Sequence, residues 1–553
     1  MTNDFRAALR TLLDAAAASL AMNPESASVE VTRDEKFGDL TTNAAMVWAK
    51  PLGKNPRVLA QEIIEQWQFP NVIFERAEIA GPGFINLRLT KQAFAGMMAS
   101  ILDEKTSIKY GHREPGHHTK KWIVEFVSAN PTGPLNVVSA RAAAIGDSLA
   151  RILDSQGHEA HREFYVNDAG RQVRLFGASV LARMKQLQGE DVSLPEEGYQ
   201  GEYVTQIARE AIAEKIPVSD PETLSRWSIE RMIQHHQATM AMYRVEYQKW
   251  FHESVLHKKN EVNEVLAKLE ADGFVYEQDG AKFLRTTVDG IDDKDRVVVT
   301  SQGNPTYIMA DLAYHLDKYR RGFDRSINYL GPDHHGTIAR LMVGLKMLGV
   351  PDGWHEIKLL QQVNLLRNGE VVKMSKRAGE IVTLDDLLEE LGNNETAIDV
   401  ARFFFLQRKV STPLDFDLSL AVKQSDENPA FYVQYAHARI CSILRQEALQ
   451  EAILQPWQGE SIALLQEPET RTVLRKALEY PLVLERCIVA LDPNALTTYL
   501  TELAAVFHKF YHHHRVMGQE KELTIARVKL LQAVKNILAD GLGLLGITAP
   551  EQM

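Results

Sequence analysis

The sequence predicts a multidomain α/β protein in which a parallel-sheet domain lies between a small α+β domain and a helical bundle. The chain has 553 residues, which corresponds to about three to five folding units. Apolar strand-like runs alternate with amphipathic helices from Lys121 to about Glu390, which is the pattern of a parallel sheet. Beyond that point nearly every segment has the 3.6-residue periodicity of a helix.

The first predicted domain covers residues 1–110 and combines helix and strand. An amphipathic helix is predicted at its start from the apolar residues Phe5, Leu9, Leu12, Leu13 and Leu20. Short strands follow around residues 77–89, where Gly81-Pro82-Gly83 marks a turn. The polar segment 110–120 is interpreted as a linker to the next domain.

The second predicted domain covers residues 118–390. A buried strand at 122–127, a Pro/Gly loop at 128–135 and a helix at 136–156 form its first strand–loop–helix unit. In open α/β sheets, ligands bind at such loops, with the helix N-terminus facing phosphates. Residues from about 185 to 290 interrupt the alternation, and we interpret them as an insertion between two halves of the sheet.

The third predicted domain, residues 391–553, is an all-α bundle. Its helices are predicted at 395–410, 428–450, 469–490, 494–516 and 521–545.

Composition excludes several classes of protein. Cys441 and Cys487 are the only cysteines, which excludes a disulfide framework and a Cys-rich zinc site. No run approaches the roughly 18 apolar residues of a membrane helix. Asp4 and Asp14 interrupt the Ala-rich start, so a signal peptide is not predicted. The net charge of −11 argues mildly against nucleic acid, although a large acidic protein can carry local basic tracks.

Several ordered motifs carry a family resemblance. They lie at 124–135 (VEFVSANPTGPL), 165–172 (YVNDAGRQ), 305–307 (PTY), 311–315 (DLAYH), 373–377 (KMSKR) and 428–439 (NPAFYVQYAHAR). Each motif alone is weak, but together and in this order they closely resemble arginyl-tRNA synthetases along essentially the full chain. The resemblance implies a class I Rossmann-type catalytic domain with an insertion, a tRNA-contacting N-terminal domain and a helical anticodon-binding domain.

The resemblance also implies which residues hold arginine, namely Glu125, Asn130, Tyr307 and Asp311. A guanidinium is a planar fork of donors that carboxylates, carbonyl oxygens and a stacking ring recognise, and these side chains supply such groups. Tyr307 and Asp311 are four residues apart, so they share one face if a helix starts near Pro305.

For the ATP step, the resemblance implies that the lysines of the loop at 373–377 contact the triphosphate and stabilise the negative charge that develops during adenylate formation. This loop follows the hairpin signal Asn368-Gly369 and precedes a capped helix starting at Thr383. The implied catalytic residues are Lys373, Lys376, Asn136 and Ser139, and the implied ATP contacts are Pro131, Gly133, Asp333, His334, His335, Met374 and Ser375. His334 and His335 are adjacent and would point apart on a strand, so no metal site is predicted.

For tRNA, the resemblance implies contacts in both end domains. The implied residues are Asn43, Tyr432, Gln434, Arg439 and Arg445. Aromatic side chains stack on unpaired bases and basic ones meet phosphates, which suits the C-terminal group. Tyr435 is assigned to the core instead, because it repeats with apolar neighbours at helical spacing.

One motif departs from the family. After Gly-Pro-Leu the family normally has His–Val–Gly–His, whereas this chain has Asn136-Val137-Val138-Ser139. The histidines normally donate to ATP phosphates and the glycine lets adenine approach the backbone. Losing one preorganised hydrogen-bond donor costs on the order of 2.7–4 kcal/mol of transition-state stabilisation. Val138 also adds a branched side chain where adenine would approach the backbone closely.

We therefore expect an ATP-dependent arginine–tRNA ligase whose activation of L-arginine is impaired or altered. The expected partners are tRNA(Arg), L-arginine and ATP with Mg²⁺ as substrate; no tightly bound cofactor, metal site or membrane contact is expected. A cytoplasmic monomer is expected. Two alternatives stay open: a catalytically weak paralogue that binds tRNA or arginine, and an enzyme that delivers activated arginine to a non-tRNA acceptor.

Overall fold

A computed structural model describes residues 5–68, 72–103, 105, 109–217, 220–290, 292–332, 335–372 and 382–553. The chain divides into two compact units. One unit comprises Met1–Glu114, Ser425–Leu491 and Ala495–Met553, and the other comprises Pro115–Gln424 and Asp492–Asn494. Among the described helices, none has both the length and the apolar character needed to cross a bilayer.

The chain begins with a four-stranded antiparallel sheet flanked by helices. Its elements are α1 (Phe5–Leu20), β1 (Val29–Val31), β2 (Leu40–Thr42), α2 (Ala44–Leu52), α3 (Pro56–Gln66), β3 (Phe74–Ala80), β4 (Phe84–Leu89) and α4 (Lys91–Leu102). The strand order is β1-β2-β4-β3. The predicted turn between β3 and β4 is confirmed, and Gly83 is required there because an added Cβ would lie 2.8 Å from Pro56 at a φ of +144°.

The second unit begins with the predicted parallel sheet. Its first elements are β5 (Lys121–Glu125), α5 (Val137–Ser155), β6 (Glu159–Val166), α6 (Arg171–Leu187), α7 (Glu202–Ala213), α8 (Pro221–Met242), β7 (Lys249–His252), α9 (Glu253–Lys258) and α10 (Glu261–Ala271). A small sheet and further parallel strands follow as β8 (Val275–Gln278), β9 (Ala281–Leu284), β10 (Arg296–Val299), α11 (Tyr307–Arg320), β11 (Arg325–Leu330), α12 (His335–Met347) and β12 (His355–Leu359). The unit continues with β13 (Val363–Arg367), β14 (Glu370–Val371), α13 (Leu384–Glu390), α14 (Glu395–Leu406), β15 (Leu414–Asp417) and α15 (Leu418–Ala421).

The central sheet has five strands in the order β12-β11-β5-β6-β7, and every neighbouring pair is parallel. The carboxyl ends of all five strands therefore meet at one edge. The first strand ends at Glu125, two residues earlier than predicted, because the backbone turns at Val127 and Ser128.

The predicted insertion at about 185–290 differs from the structure in one respect. Its residues Lys249–His252 form β7, the edge strand that pairs with β6. Charged and half-buried residues in β7 hid the strand from the sequence pattern, because an edge strand is covered less completely than a central one. Helices α6, α7 and α8 enclose an apolar cluster of their own that includes Phe176, Ile207 and Met232.

The turn at Asn368 and Gly369 is the predicted hairpin. Both residues have positive φ, 54° and 82°, and they join β13 to β14 in antiparallel register. This is the backbone that a two-residue Asn-Gly hairpin turn requires.

The chain ends in the helices α16 (Pro429–Leu444), α17 (Gln450–Leu454), α18 (Pro468–Ala490), α19 (Asn494–His513) and α20 (Lys521–Leu544). These agree with the predicted helical segments, but the bundle is not a separate compact unit. It packs against the N-terminal region: Arg475 donates to the hydroxyl of Thr32, just after β1, at 2.7 Å, and the Trp457 indole donates to the Ala95 carbonyl on α4 at 3.0 Å.

Residues 391–424 cluster with the parallel sheet. The buried guanidinium of Arg402 on α14 pairs with the buried Asp147 carboxylate on α5 at 2.6 Å. An ion pair without solvent contact ties α14 to the sheet unit, since separating it would leave two buried charges unpaired.

Candidate active site

A cavity of about 440 Å³ opens at the carboxyl edge of the central sheet. Its wall is formed by the loop after β5, the end of β11, the segment after β12 and the first turns of α5. The lining residues are Val127, Ser128, Ala129, Asn130, Asn136, Val138, Ser139, Ala142, Tyr329, Gly331, Pro332, Leu360, Gln362 and Val363. A cavity at this edge, beside a helix N-terminus, is where open α/β sheets bind phosphate-bearing ligands.

The loop after β5 has a strained turn on the cavity wall. Val127 and Ser128 have φ values of +70° and +43°, a region that branched and non-glycine residues rarely adopt. The Ser128 hydroxyl donates to Glu125 Oε1 at 2.8 Å and accepts from the Tyr165 backbone N–H at 3.1 Å. These two hydrogen bonds connect the ends of β5 and β6 and hold the turn against the cavity.

The N-terminus of α5 is capped by its own side chains. Asn136 Oδ1 accepts from the Ser139 backbone N–H at 2.9 Å and from the Ser139 hydroxyl at 3.2 Å. The Ser139 proton is therefore directed at Asn136 rather than into the cavity. Val138, the third altered position, lies on the cavity wall between them.

A group of acidic side chains lies beside the cavity, around the ends of β5, β6 and β7. Glu125 is only 4% exposed and pairs with Lys318, which is fully buried. Burial alone would raise the pKa of Glu125, but the charge of Lys318 and the hydrogen bonds from Lys318 and Ser128 are among the effects that together lower that pKa. At the end of β7, Glu253 Oε2 accepts from the Tyr165 hydroxyl at 2.8 Å.

Asp311 on α11 lies near two cations, Arg340 and Lys318, whose charges lower its pKa without forming an ion pair with it. No described residue forms a hydrogen bond or an ion pair with its side chain. Burial, together with the neighbouring charges of Glu125 and Glu253, raises the pKa of Asp311 to about 7. A cation placed here would remove that destabilisation.

The rest of α11 fixes this arrangement. Lys318 also donates to Asn328 Oδ1 at 2.9 Å, and the Asn328 amide contacts His315 Nε2 at 3.1 Å. His315 Nδ1 donates to the Asp311 carbonyl at 2.8 Å, and burial lowers the pKa of His315 to about 3, so its ring is neutral. A neutral ring can donate from one nitrogen and accept at the other, as both contacts require.

Tyr307 stands at the mouth of this region. The predicted helix start is confirmed, since Thr306 is the N-cap of α11, and Tyr307 and Asp311 are one turn apart. The Tyr307 side chain is 61% exposed, and the Arg340 guanidinium lies 5.5 Å from the ring centroid. A ring that already faces a guanidinium shows the stacking geometry that such a group adopts.

Comparison with known proteins identifies the family. Family models match as "Arginyl tRNA synthetase N terminal domain" over residues 3–89, "tRNA synthetases class I (R), catalytic domain" over 98–401 and "DALR anticodon binding domain" over 433–553. The arginine–tRNA ligase of Desulforamulus reducens is 43% identical over 95% of this chain and 93% of that protein. The chain belongs to the arginyl-tRNA synthetase family. The arginine–tRNA ligase of Burkholderia mallei is 40% identical over 93% of this chain and 92% of that protein.

Solved structures agree in fold with this arginyl-tRNA synthetase family member. The arginyl-tRNA synthetase of Thermus thermophilus superposes with a TM-score of 0.78 at 23% identity, covering 99% of this chain and 100% of that one. The predicted architecture, a class I Rossmann-type parallel sheet with an N-terminal α+β region and helical end, is therefore confirmed.

The structure separates the residues predicted to contact ATP in this synthetase. Asn136 and Ser139 line the cavity. Pro131 and Gly133 do not line it: Pro131 is buried, and the Gly133 carbonyl accepts from His236 at 2.8 Å. The Pro/Gly loop packs against α8 there, so ATP contacts by these two residues stay a prediction. Outside the described residues, or with undescribed side chains, lie Lys373, Met374, Ser375, Lys376, Asp333, His334 and His335.

The structure brings together two of the residues predicted to bind arginine. Glu125 and Asp311 lie in the same acidic group, since the charge of Glu125 raises the pKa of Asp311. Asn130 lines the adjacent cavity rather than the acidic group. Glu125 is already neutralised by Lys318, whereas Asp311 forms no ion pair with a described residue.

Two residues predicted to contact tRNA bind the C-terminal segment of the chain, and only Gln434 of the two is buried. Gln434 is 3% exposed, and its amide donates to the Thr548 carbonyl at 3.0 Å. Arg445 donates to the Glu551 carbonyl at 2.9 Å. Gln434 lies on the buried face of α16, so its side chain is not available at the surface, while Arg445 remains exposed.

The other residues predicted to contact tRNA lie at or near the surface. Arg439 is exposed, with its guanidinium 5.0 Å from the Tyr511 ring centroid. Tyr432 lies 5.0 Å from the His508 ring centroid, and Tyr435 is half-buried rather than wholly in the core. In the N-terminal domain, Asn43 Oδ1 accepts from the Ser28 backbone N–H at 2.8 Å, which fixes its side chain locally.

Sequence reasoning missed Lys318 and Glu253. Lys318 lies on the same helix face as Asp311 and His315, at a spacing of seven and three residues, and that pattern could have revealed it. Glu253 directly follows β7, so it was hidden when that strand was taken as part of an insertion. His508, which lies among the aromatic rings of α16, follows no recognisable pattern in the sequence.

Proposed function

We propose that this protein is an arginine–tRNA ligase that activates L-arginine with ATP and transfers the arginyl group to tRNA(Arg). The observation that carries the proposal is Asp311, a half-buried carboxylate that forms no ion pair with a described residue, beside a nucleotide-sized cavity. The family membership supports the same activity.

The acidic group selects a cationic amino acid. Glu125 forms an ion pair with the buried Lys318, and Glu253 accepts a hydrogen bond from the Tyr165 hydroxyl. Asp311 forms no ion pair with a described residue. A guanidinium against Asp311 satisfies that charge in a fixed planar geometry, and Tyr307 offers a ring face at the mouth. A neutral amino-acid side chain of similar length would leave the Asp311 carboxylate unpaired. That unpaired group makes binding of the neutral ligand less favourable than binding of arginine.

The cavity accommodates ATP. Its volume of about 440 Å³ is within the usual range of small-molecule sites, and the α5 N-terminus faces it. Lys373 and Lys376 are proposed to stabilise the triphosphate, and Mg²⁺ is proposed to accompany ATP as part of the substrate. No tightly bound cofactor is proposed.

We further propose that arginine activation is slow in this chain compared with its relatives. Asn136 and Ser139 hydrogen-bond to each other, so the side-chain donors at the start of α5 are partly used internally. Val138 narrows the cavity at the same place. Removing a preorganised donor typically lowers kcat by about 10²–10³.

The helical end is proposed to bind the anticodon loop. Arg439, Tyr432, Tyr511 and His508 form an exposed or half-buried aromatic and basic surface on α16 and α19. Bases stack on such rings and phosphates meet the guanidinium. We also propose that the protein is a cytoplasmic monomer, which size-exclusion chromatography with light scattering tests for the oligomeric state.

Two assays with purified protein test the proposal. Arginine-dependent ATP–pyrophosphate exchange, with and without tRNA, measures activation, and charging of tRNA with labelled arginine measures transfer. We expect both pyrophosphate exchange and tRNA charging, each at a lower rate than for the Desulforamulus reducens relative. Binding of tRNA without charging would indicate a silent paralogue, and exchange without charging would indicate a different acceptor.

A further inference from the structure

The cap of α5 is connected to a second helix cap across the chain. Asn136 and Thr383 face each other in an isolated antiparallel β-bridge. The Leu384 N–H donates to the Leu135 carbonyl at 2.8 Å, and the Val137 N–H donates to the Val382 carbonyl at 3.3 Å. In this pattern the facing residues form the closer, non-hydrogen-bonded type of pair.

Each residue of this pair begins a helix. Asn136 caps α5 by accepting from the Ser139 N–H. Thr383 caps α13 through a reciprocal box with Asp386: Asp386 N–H donates to Thr383 Oγ1 at 3.0 Å, Thr383 N–H donates to Asp386 Oδ2 at 3.1 Å, and the Thr383 hydroxyl donates to the same oxygen at 2.7 Å. Such boxes fix where and at what angle a helix starts.

Only one side of this bridge lines the cavity. Asn136, Val138 and Ser139 are on the cavity wall, whereas Thr383 and Asp386 are not among its lining residues. The backbone groups of Val382 and Leu384, on either side of Thr383, therefore hold the start of α5, and the box with Asp386 holds Thr383. A change at Thr383 reaches the nucleotide cavity through the bridge and not by contact with ligand.

We propose that the bridge between Asn136 and Thr383 sets the position of the α5 N-terminus at the nucleotide cavity, and that Thr383 and Asp386 are positioning residues for ATP. The inference rests on the proposed function, since it assigns these residues to the ATP step. Asn136, Thr383 and Asp386 are not among the groups that shift the pKa of Asp311, so the KM for arginine is expected not to depend on the bridge.

The test uses the full chain and compares two substitutions at one position. Thr383→Val keeps the branched shape and removes the hydroxyl, while Thr383→Ser keeps the hydroxyl. With saturating tRNA, Thr383→Val is expected to raise the KM for ATP in pyrophosphate exchange about fivefold, the equivalent of losing one helix cap, with the KM for arginine unchanged. Thr383→Ser is expected to restore the wild-type KM for ATP.

A matched control removes a cap elsewhere in the same unit. Asn394 caps α14 by accepting from the Ala397 N–H at 2.9 Å and is exposed. Asn394→Ala is expected to lower the melting temperature about as much as Thr383→Val and to leave both KM values unchanged.

Three results would overturn the inference. They are an unchanged KM for ATP in Thr383→Val, an equal rise in both KM values, and the same rise in Asn394→Ala. If the wild-type protein shows no arginine-dependent exchange, the proposed function itself fails, and the inference fails with it. Exchange by the wild type with no selective effect at Thr383 refutes only the inference.

Discussion

Replacing Asp311 by Asn tests how the arginine pocket works. Asn has nearly the same shape as Asp but cannot carry the charge that a guanidinium needs. Removing one partner of a desolvated charge pair costs about 2–5 kcal/mol, so the Kd for arginine is expected to rise by about 100-fold. Calorimetric titration of arginine in the presence of tRNA measures it.

The pH dependence gives a sharper test of the same residue. The pKa of Asp311 is raised to about 7, so the carboxylate is mostly protonated at pH 6 and mostly ionised at pH 8. Arginine stays protonated throughout this range and requires the ionised carboxylate. The Kd for arginine is therefore expected to fall about tenfold from pH 6 to pH 8 in the wild type and to stay flat in Asp311→Asn.

The stability of the free protein shifts in the opposite direction. A carboxyl group with a raised folded pKa stabilises the fold below its unfolded pKa of about 4, and that stability is lost as pH rises through about 7. Arginine is thus expected to raise the melting temperature more at pH 8 than at pH 6. A pH-independent Kd in the wild type, or equal pH dependence in Asp311→Asn, would refute this role.

Three further perturbations address other parts of the molecule. Lys318→Met leaves Glu125 buried without its cation and is expected to destabilise the fold by about 3–5 kcal/mol in urea denaturation. The double variant Lys318→Met, Glu125→Gln is expected to recover part of this loss. Equal stability of the single and double variants would contradict the ion pair. Arg439→Ala is expected to weaken tRNA binding about tenfold and to reduce the salt dependence by about one counterion, measured by filter binding at several salt concentrations; an unchanged slope would exclude phosphate contact. Val138→Gly with Ser139→His leaves the helix cap in place, widens the cavity and adds a donor, so pyrophosphate exchange is expected to rise about 100-fold; no increase would show that the altered motif is not what limits activation.

The sequence predicted the sheet and the helices well because their signals are local. The helix after the first strand was placed to within a residue, since Asn136 is a good cap and an apolar periodic run follows. The turn at Asn368 was predicted for a similar reason, because Asn-Gly favours the positive φ values found there. Such features need no information about distant parts of the chain.

The remainder depended on contacts between distant segments. Nothing local shows that Lys318 neutralises Glu125, or that Gln434 is turned toward Thr548. The strand β7 escaped prediction because its partner β6 lies some eighty residues earlier, and only the paired sheet identifies it. Long-range pairing of this kind is set by packing rather than by propensity.

Calorimetry with matched ligands tests the central claim most directly. L-Arginine and L-citrulline have nearly the same shape, but citrulline carries no charge on its side chain. With tRNA present, the account predicts that arginine binds about 100-fold more tightly than citrulline, because only arginine neutralises Asp311. Equal affinities for the two ligands would contradict it.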